Sequence, residues 1–160
     1  MKRDNLPLEL GSFEVSPYMS SYLTGGWKRD ELILEKVLIT AASIEGIFRV
    51  GDYDPPSDGK FHLAVPIVFV SIAQLAIIYA CIDQGLSEKR GEVYLRQINL
   101  KCLKPVNDTD SISLLLTLTS RKRINDFTYY GGLINVQHGR FAGSASFVFP
   151  VAKPTPVEAP

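Results

Sequence analysis

The chain has 160 residues, the size of one domain that can bury most of its apolar surface around a single core. Its 17 basic and 17 acidic residues cancel, which excludes a net positive charge that would draw the whole molecule to nucleic acid or anionic lipid. The two cysteines lie in apolar segments without C-x-x-C spacing, which favours two buried thiols over a disulfide or a metal pair.

The first third of the chain leads into two predicted strands. Residues 1–17 are mixed in composition and contain proline, which predicts a loosely held arm without the apolar core of a signal peptide. Residues 31–50 form two β-rich runs around AASIEG, which predicts a hairpin, and residues 51–60 are a loop by composition. The chain start and the cysteine usage together favour a cytoplasmic location.

The stretch GKFHLAVPIVFVSIAQLAIIYACIDQG, residues 59–85, is almost wholly apolar. A run of about 18 residues or more is long enough for a transmembrane helix. Pro66 at the start and Gly85 at the end are instead typical of a helix in a water-soluble protein, and the flanks lack the basic clusters and aromatic belts of a membrane span. We therefore predict a core helix, with its polar residues Ser71 and Gln74 on one face.

Four runs with period-two alternation follow: VYLRQINLKCL, SISLLLTLT, FTYYGGLINVQ and FAGSASFVFPV. In each run the alternation predicts that every second residue points to the same face of the sheet. In the first run these residues are Tyr94, Arg96, Ile98, Leu100 and Cys102, and in the second they are Ile112, Leu114, Leu116 and Leu118. The connections KPVNDTD, SRKRIND and QHGR are short enough for antiparallel neighbours. The Pro-rich tail, residues 152–160, is predicted to be disordered.

One long apolar helix beside five or six antiparallel strands has few good arrangements. The sheet must curl around the helix, which explains why the helix is apolar nearly all round. The predicted fold class is therefore α+β, with one domain over residues 18–151. Such a wrap leaves sheet edges and one helix flank uncovered, so we expect a homodimer or a larger homo-oligomer of dimers.

This order of elements resembles the hotdog fold, in which a curled antiparallel sheet wraps a central helix. Within INLKCLKPVNDTDSI, the residues Lys104, Pro105, Val106 and Asp110 match the basic residue, Pro-Val pair and Asp that hotdog enzymes commonly carry after the helix. The motif follows the helix in the expected order, which strengthens the resemblance.

More narrowly, the chain resembles the FcoT-like acyl-CoA thioesterases over roughly residues 17–151. The matching residues are Pro17-Tyr18, Tyr53, His62 in GKFH, and Gln74 in AQLA. Two asparagines of that family are replaced. Leu63 or Ala64 stands at the helix entrance, and Ala73 precedes Gln74.

The resemblance implies hydrolysis of fatty-acyl thioesters of coenzyme A or an acyl carrier protein, without a covalent intermediate or a cofactor. The helix N-terminus would polarise the thioester carbonyl, Tyr18 and Tyr53 would assist, and His62 or a loop carboxylate would activate water. Candidate loop carboxylates are Asp52, Asp54 and Asp58. The expected substrate-binding residues are Leu63, Ala64, Ser71 and Gln74 for the acyl group, and Arg121, Lys122 and Arg123, predicted in a hairpin turn, for phosphates; Lys101 and Lys104 are comparable.

Each of these groups also has a structural interpretation. His62 and the tyrosines are explained equally by hydrogen bonds at the edge of a core, Ser71 and Gln74 by bonds to backbone, and the basic triplet by a solvated turn. The sequence has no metal-ligand cluster, G-x-S-x-G nucleophile or phosphate-binding glycine loop, so no metal site and no serine nucleophile are expected. The zero net charge and the flanks of the apolar run likewise predict no nucleic-acid or membrane partner.

Two other functions stay open. A dehydratase or isomerase of β-hydroxyacyl thioesters needs a histidine and an acid, and the helix positions for the acid are Val70, Ser71 and Gln74. A non-catalytic acyl-binding protein needs neither.

Overall fold

The computed structural model describes residues 30–54, 56–86, 89 and 92–151. In chain order these form β1 (Leu32–Ile39), β2 (Ser43–Val50), α1 (Val65–Asp83), β3 (Tyr94–Cys102), β4 (Ile112–Ile124), β5 (Phe127–Val136) and β6 (Phe141–Pro150). The predicted hairpin, helix and four later strands are confirmed. The predicted arm, the first part of the predicted domain and the tail lie outside the described residues.

The six strands form one antiparallel sheet in the order β1-β2-β4-β5-β6-β3. Hairpins join β1 to β2, β4 to β5 and β5 to β6, as their short connections predict. The same expectation is wrong for KPVNDTD, because the strands that it joins, β3 and β4, are not neighbours in the sheet. β3 comes directly after α1 in the chain, but it pairs with β6, the last of the described strands. β1 and β3 are therefore the two edges of the described sheet, and the arrangement is the one that the resemblance to the hotdog fold implies.

α1 packs on the sheet through one apolar face. Val68, Ile72 and Leu75 are fully buried in the core, and the hydroxyl of Tyr79 donates a hydrogen bond to the Ala41 carbonyl, 2.8 Å away. The helix is long and apolar enough to cross a membrane by length and composition. Core helices meet the same criterion, and the burial of this face is the packing of a core helix.

A second face of α1 is apolar but exposed. Val65, Phe69 and Val70 are 44%, 40% and 63% exposed, and Ala73 and Ile77 on the same side are partly buried. Isolated apolar side chains on a surface are ordinary, but a row of them along one helix flank is a feature of interaction sites. This flank is the uncovered surface that a single sheet wrapped on one helix was expected to leave.

Ser71 and Gln74 lie in different environments, although their i, i+3 spacing places them on the same side of α1. Ser71 is 6% exposed and belongs to the buried face of α1, whereas Gln74 is exposed. Residues three positions apart are separated by about 60° around a helix. The boundary between the buried and exposed faces falls within that angle.

The predicted alternation of β3 is interrupted by a register shift between Leu95 and Gln97. A β-bulge adds one residue to a strand and reverses the faces on either side, which a strict period of two does not anticipate. At the strand end Cys102 is exposed, so the prediction of two buried thiols is wrong for this residue; Cys81 is buried as predicted.

The basic triplet Arg121–Arg123 lies in β4 and not in a hairpin turn. β4 is 13 residues long, and the turn that follows consists of Asn125 and Asp126. Asn125 has a φ of 52°, a left-handed conformation that asparagine adopts more readily than most residues and that two-residue hairpin turns require. The polar composition of SRKRIND predicts a turn, but its first five residues continue β4.

Candidate active site at the helix N-terminus

The loop that leads into α1 makes a tight turn around Asp58. The Gly59 N–H donates to the Pro56 carbonyl at 2.8 Å, and Gly59 has a φ of +70°, which glycine adopts without strain. Within this turn, Oδ1 of Asp58 accepts a hydrogen bond of 3.0 Å from the Lys60 N–H. The backbone thus fixes one oxygen of the carboxylate, and the other is turned towards His62.

Asp58 and His62 form a hydrogen-bonded pair. The distance from His62 Nε2 to Asp58 Oδ2 is 2.7 Å, and the two side chains are 40% and 49% exposed. The bond from the Lys60 N–H lowers the pKa of the Asp58 carboxyl below its ordinary value, and the bond from His62 lowers it further. Asp58 is therefore ionised throughout the neutral pH range, at a position that solvent reaches.

Asn107 occupies the other ring nitrogen of His62. Its Nδ2 lies 2.9 Å from His62 Nδ1 and 2.6 Å from the Phe61 carbonyl oxygen. An amide nitrogen carries two hydrogens, so it can donate one to each of these acceptors. In neutral His62 the proton then sits on Nε2 and is donated to Asp58, while Nδ1 accepts from Asn107.

This arrangement leaves neutral His62 without a ring lone pair to take a proton from water. Asp58, in contrast, keeps unused lone pairs on both oxygens, because a carboxylate can accept about four hydrogen bonds. Of the two groups, Asp58 is the one that can act as a base. His62 and Asn107 hold the carboxylate in place.

The entrance of α1 is anchored to the loop between β3 and β4. Leu63 is buried, and its N–H donates to the carbonyl of Val106 at 3.0 Å; Val106 is itself fully buried. The Pro-Val pair singled out in the sequence therefore fixes the start of the helix. The neighbouring Asn107 reaches His62 from the same loop.

The first turn of α1 offers one backbone donor. The N-cap, Ala64, has no side-chain cap, and its carbonyl accepts the N–H groups of Ile67 and Val68. Pro66 has no N–H. The Val65 N–H thus has no acceptor among the described residues, and it lies at the positive end of the helix dipole.

Tyr53 lies beside this entrance. Its ring packs edge-on against Phe61, with ring centroids 5.3 Å apart and planes at 75°, and the side chain is half-buried. Tyr53 therefore contacts the residue that directly precedes His62 in the chain. Tyr18, the other tyrosine predicted to assist, lies outside the described residues.

The basic triplet is not part of this site. Nε of Arg121 lies 2.8 Å from Oδ2 of Asp83, at the other end of α1, and the Tyr130 hydroxyl donates to the same oxygen at 2.6 Å. Burial, followed by the bond to Asp83, raises the pKa of Tyr130 to about 12. A helix of 19 residues is roughly 28 Å long, so this cluster is far from His62 within one chain.

Lys122 and Arg123 occupy opposite faces of β4. Arg123 lines a pocket with Asp83 and Gln84, and Lys122 lines a groove on the other face with Arg96. The structure therefore brings together His62, Tyr53, Leu63 and Ala64 of the predicted site residues. It places Ser71 inside the core, Gln74 on the exposed flank, and the three basic residues away from the helix entrance.

Sequence reasoning gave too little weight to Asp58 and missed Asn107. Asp58 stood among three loop acids with no reason to prefer it, although the Asp-Gly pair that forms the turn four residues before His62 was a usable signal. Asn107 is 45 residues from His62, and no local motif connects the two. Within the described residues, no group of three His, Cys, Asp or Glu side chains is placed to hold a metal ion.

No family model matches the chain, and no curated protein matches it in sequence. Solved structures are similar to it in fold. The dehydratase heterocomplex ApeI:P from Xenorhabdus doucetiae is 14% identical with a TM-score of 0.52, over 75% of this chain and 83% of that one.

Two further structures share the arrangement. A hypothetical thioesterase with coenzyme A from Streptococcus pneumoniae is 15% identical with a TM-score of 0.52, over 77% of this chain and 92% of that one. A putative thioesterase from Lactococcus lactis is 10% identical with a TM-score of 0.50, over 78% and 92%. One helix packed against a six-stranded antiparallel sheet, together with these similarities in fold, shows that the chain has the hotdog fold.

Proposed function

We propose that the chain hydrolyses fatty-acyl thioesters at the N-terminus of α1, with Asp58 as the base. The observation that carries this proposal is the chain of hydrogen bonds from Asn107 through His62 to Asp58, in the segment that leads into the first turn of α1 with its open Val65 N–H. Two of the similar structures are called thioesterases, and one of them holds coenzyme A. These similarities support an acyl-thioester ligand.

The chemistry follows from these groups. The thioester carbonyl oxygen accepts the Val65 N–H, which stabilises negative charge on that oxygen as water adds to the carbon. Asp58 accepts a proton from the attacking water. When the tetrahedral intermediate collapses, the C–S bond breaks, and the leaving thiolate takes the proton held by Asp58, which yields the free thiol and the fatty acid and restores the ionised carboxylate. Asp58 is the catalytic residue, and His62 and Asn107 are positioning residues.

The acyl chain is expected to lie along the exposed apolar flank of α1. Val65, Phe69 and Val70 begin this flank at the helix end where the thioester would be held. The edge strand β3 is unpaired on one side in the described sheet, and both this edge and the exposed flank of α1 are surfaces that a second copy would cover. A homodimer with the acyl group between its chains is part of the proposal, as is a cytoplasmic location.

The test is to incubate the purified protein with short, medium and long acyl-CoAs and to measure the free fatty acid by mass spectrometry. This readout avoids thiol reagents, which the exposed Cys102 would consume. Asp58→Asn should lower kcat by roughly a hundredfold or more, the usual effect of removing a general base. Asp54→Asn is the matched control, because it makes the same charge change in the same loop and its side chain makes no hydrogen bond among the described residues.

A second candidate is an acyl-binding protein without turnover. It is favoured by the occupied ring nitrogens of His62 and by the replacement of the two asparagines by Leu63 or Ala64 and by Ala73. The same incubation separates the two functions, since acyl-CoA that is retained by the protein but not hydrolysed would overturn the hydrolase proposal. Dehydration has less support, because Val70, Ser71 and Gln74 supply no acid.

A further inference from the structure

A pocket of about 570 Å³ opens between the loop after β3 and the turn before β6. It is lined by Lys104, Pro105, Asp108, Gln137, His138, Gly139 and Arg140. The loop that forms one wall also carries Asn107, which binds His62. The pocket therefore lies at the same end of the molecule as the candidate active site.

The pocket carries positive charge that the described residues do not neutralise. The side chains of Lys104 and Arg140 form no ion pair with any described carboxylate. Asp108 is the acidic residue of the lining, and it accepts a hydrogen bond from Gln137 Nε2 at 3.3 Å. Two cations and one carboxylate leave an excess of one positive charge in a chain whose total is zero.

The turn before Arg140 has an unfavourable backbone conformation that several hydrogen bonds stabilise. Gln137 and His138 have φ values of 45° and 57°, a conformation that costs energy in residues other than glycine. Hydrogen bonds hold the strained turn in place: Gln137 N–H to the Ser113 carbonyl at 2.8 Å, Ser113 N–H to Gln137 Oε1 at 2.9 Å, and Gly139 N–H to Asn135 Oδ1 at 2.8 Å.

Arg140 connects this turn to the active-site loop. Its guanidinium donates to the Pro105 carbonyl at 2.6 Å, and its own carbonyl accepts the N–H groups of Leu103 and Lys104. Lys104 and Asn107 are three residues apart, at most about 11 Å along the chain. An extended pantetheine arm is longer than this, so one ligand can reach both places.

We propose that Lys104 and Arg140 bind the phosphate groups of the thioester's carrier, an inference that rests on the proposed function. A guanidinium and an ammonium over a fixed turn are the donors that phosphate recognition uses. The shared ligand chemistry is a phosphate attached to pantetheine, as in coenzyme A or in the phosphopantetheine arm of a carrier protein. Arg121, which is paired with Asp83, is not required for it.

The test measures binding separately from hydrolysis. Coenzyme A, 4′-phosphopantetheine and pantetheine, none of them acylated, are titrated calorimetrically into the wild type and Lys104→Gln. The side chain of Lys104 is exposed and forms no ion pair with a described carboxylate, and Lys36→Gln on β1 is a control with the same charge change at another exposed position. Loss of one charge-assisted bond should raise the Kd for coenzyme A by about tenfold in Lys104→Gln and leave it unchanged in Lys36→Gln.

The three ligands identify the phosphate that matters. Tight binding of phosphopantetheine as well as coenzyme A, with weak binding of pantetheine, assigns the pocket to the phosphate next to the arm. Binding of coenzyme A alone assigns it to the nucleotide phosphates. A Kd that does not change in Lys104→Gln, or no binding of either phosphorylated ligand, overturns the inference, while Asp58-dependent hydrolysis of acyl-pantetheine would still uphold the proposed function.

Discussion

At the scale of single residues, the position of one proton on His62 decides which group is the base. Asn107 donates to Nδ1 and Asp58 accepts from Nε2, so the ring is held in one tautomer between two partners. If Nδ1 also carried a proton, its N–H would face the N–H of the Asn107 amide, and neither group could accept a hydrogen bond from the other. Here the histidine orients the carboxylate. In a Ser-His-Asp triad the roles are reversed, and the carboxylate orients the histidine.

This assignment predicts the pH dependence of hydrolysis. The pKa of Asp58 is lowered from an ordinary value of 3.8, so the carboxylate is ionised at every pH above that value. We expect kcat/KM to be constant through neutral pH and to fall only as the pH drops below about 4. A profile measured by acid release that instead bends within the neutral range would show that Asp58 is not the base.

Tyr130 gives a second residue-scale prediction, about stability. Its hydroxyl is buried and donates to Asp83, an oxygen that Arg121 also contacts. Tyr130→Phe should lower the free energy of unfolding by about 1–3 kcal/mol, the usual cost of losing a hydrogen bond to a charged group. Tyr129→Phe, a change on the neighbouring residue that packs near Arg96, should cost less.

The pH dependence of that difference can be derived from the pKa. Folding raises the pKa of Tyr130 from 10.0 to about 12, so the folded chain binds this proton more tightly than the unfolded chain. The stabilisation is complete below pH 10 and is lost as the pH rises towards 12. Chemical denaturation of the wild type and Tyr130→Phe should therefore give converging stabilities above pH 10; a constant difference would contradict this role.

At the scale of elements, the pairing of β3 with β6 depends on Gly143. A Cβ atom at this position would lie 1.9 Å from the backbone carbonyl oxygen of Asn99 on β3, which cannot move without separating the strands. We expect Gly143→Ala to destabilise the fold by at least about 3 kcal/mol, at the upper end of single-residue effects. The free energy of unfolding in denaturant measures this.

Gly131→Ala on β5 is the matched control. There the nearest atom to a new Cβ is Ser120 Oγ at 2.6 Å, the end of a side chain that can rotate away. The cost should stay below about 1 kcal/mol, because the backbone is not displaced. Equal effects of the two substitutions would show that the close approach at Gly143 is not what holds β3 in place.

The elements were also the part of the structure that the sequence predicted best. Period-two alternation located β4 because Ile112, Leu114 and Leu116 all point into the core. The helix was recognised from Pro66, Gly85 and the apolar run between them. The bulge in β3 and the partner of His62 were not predictable, since the first depends on pairing with β6 and the second on a contact across 45 residues.

At the scale of the whole molecule, the exposed flank of α1 predicts the oligomeric state. Val70 is 63% exposed at the centre of the uncovered apolar row. Light scattering should give the wild type a mass of two chains of 17.7 kDa, and Val70→Arg should give the mass of one, because a charge cannot be buried there without a partner.

Leu133→Arg makes the same change on β5, where the side chain is 54% exposed. It should leave the dimer intact, since it is not on the helix flank. A wild type with the mass of one chain would contradict the dimer, and so would a dimer that tolerates Val70→Arg. The acyl group would then have to bind on an open surface.

The strand order has a consequence for synthesis of the chain on the ribosome. β3 has emerged before β4, β5 and β6 exist, yet its described partner is β6, which is made after all the other described strands. Until residues 141–150 are available, β3 and the apolar helix before it have no complete sheet to pack on. Such distant pairing slows folding and prolongs the exposure of apolar surface, so the nascent chain is expected to need chaperone protection until its final strand closes the edge of the sheet.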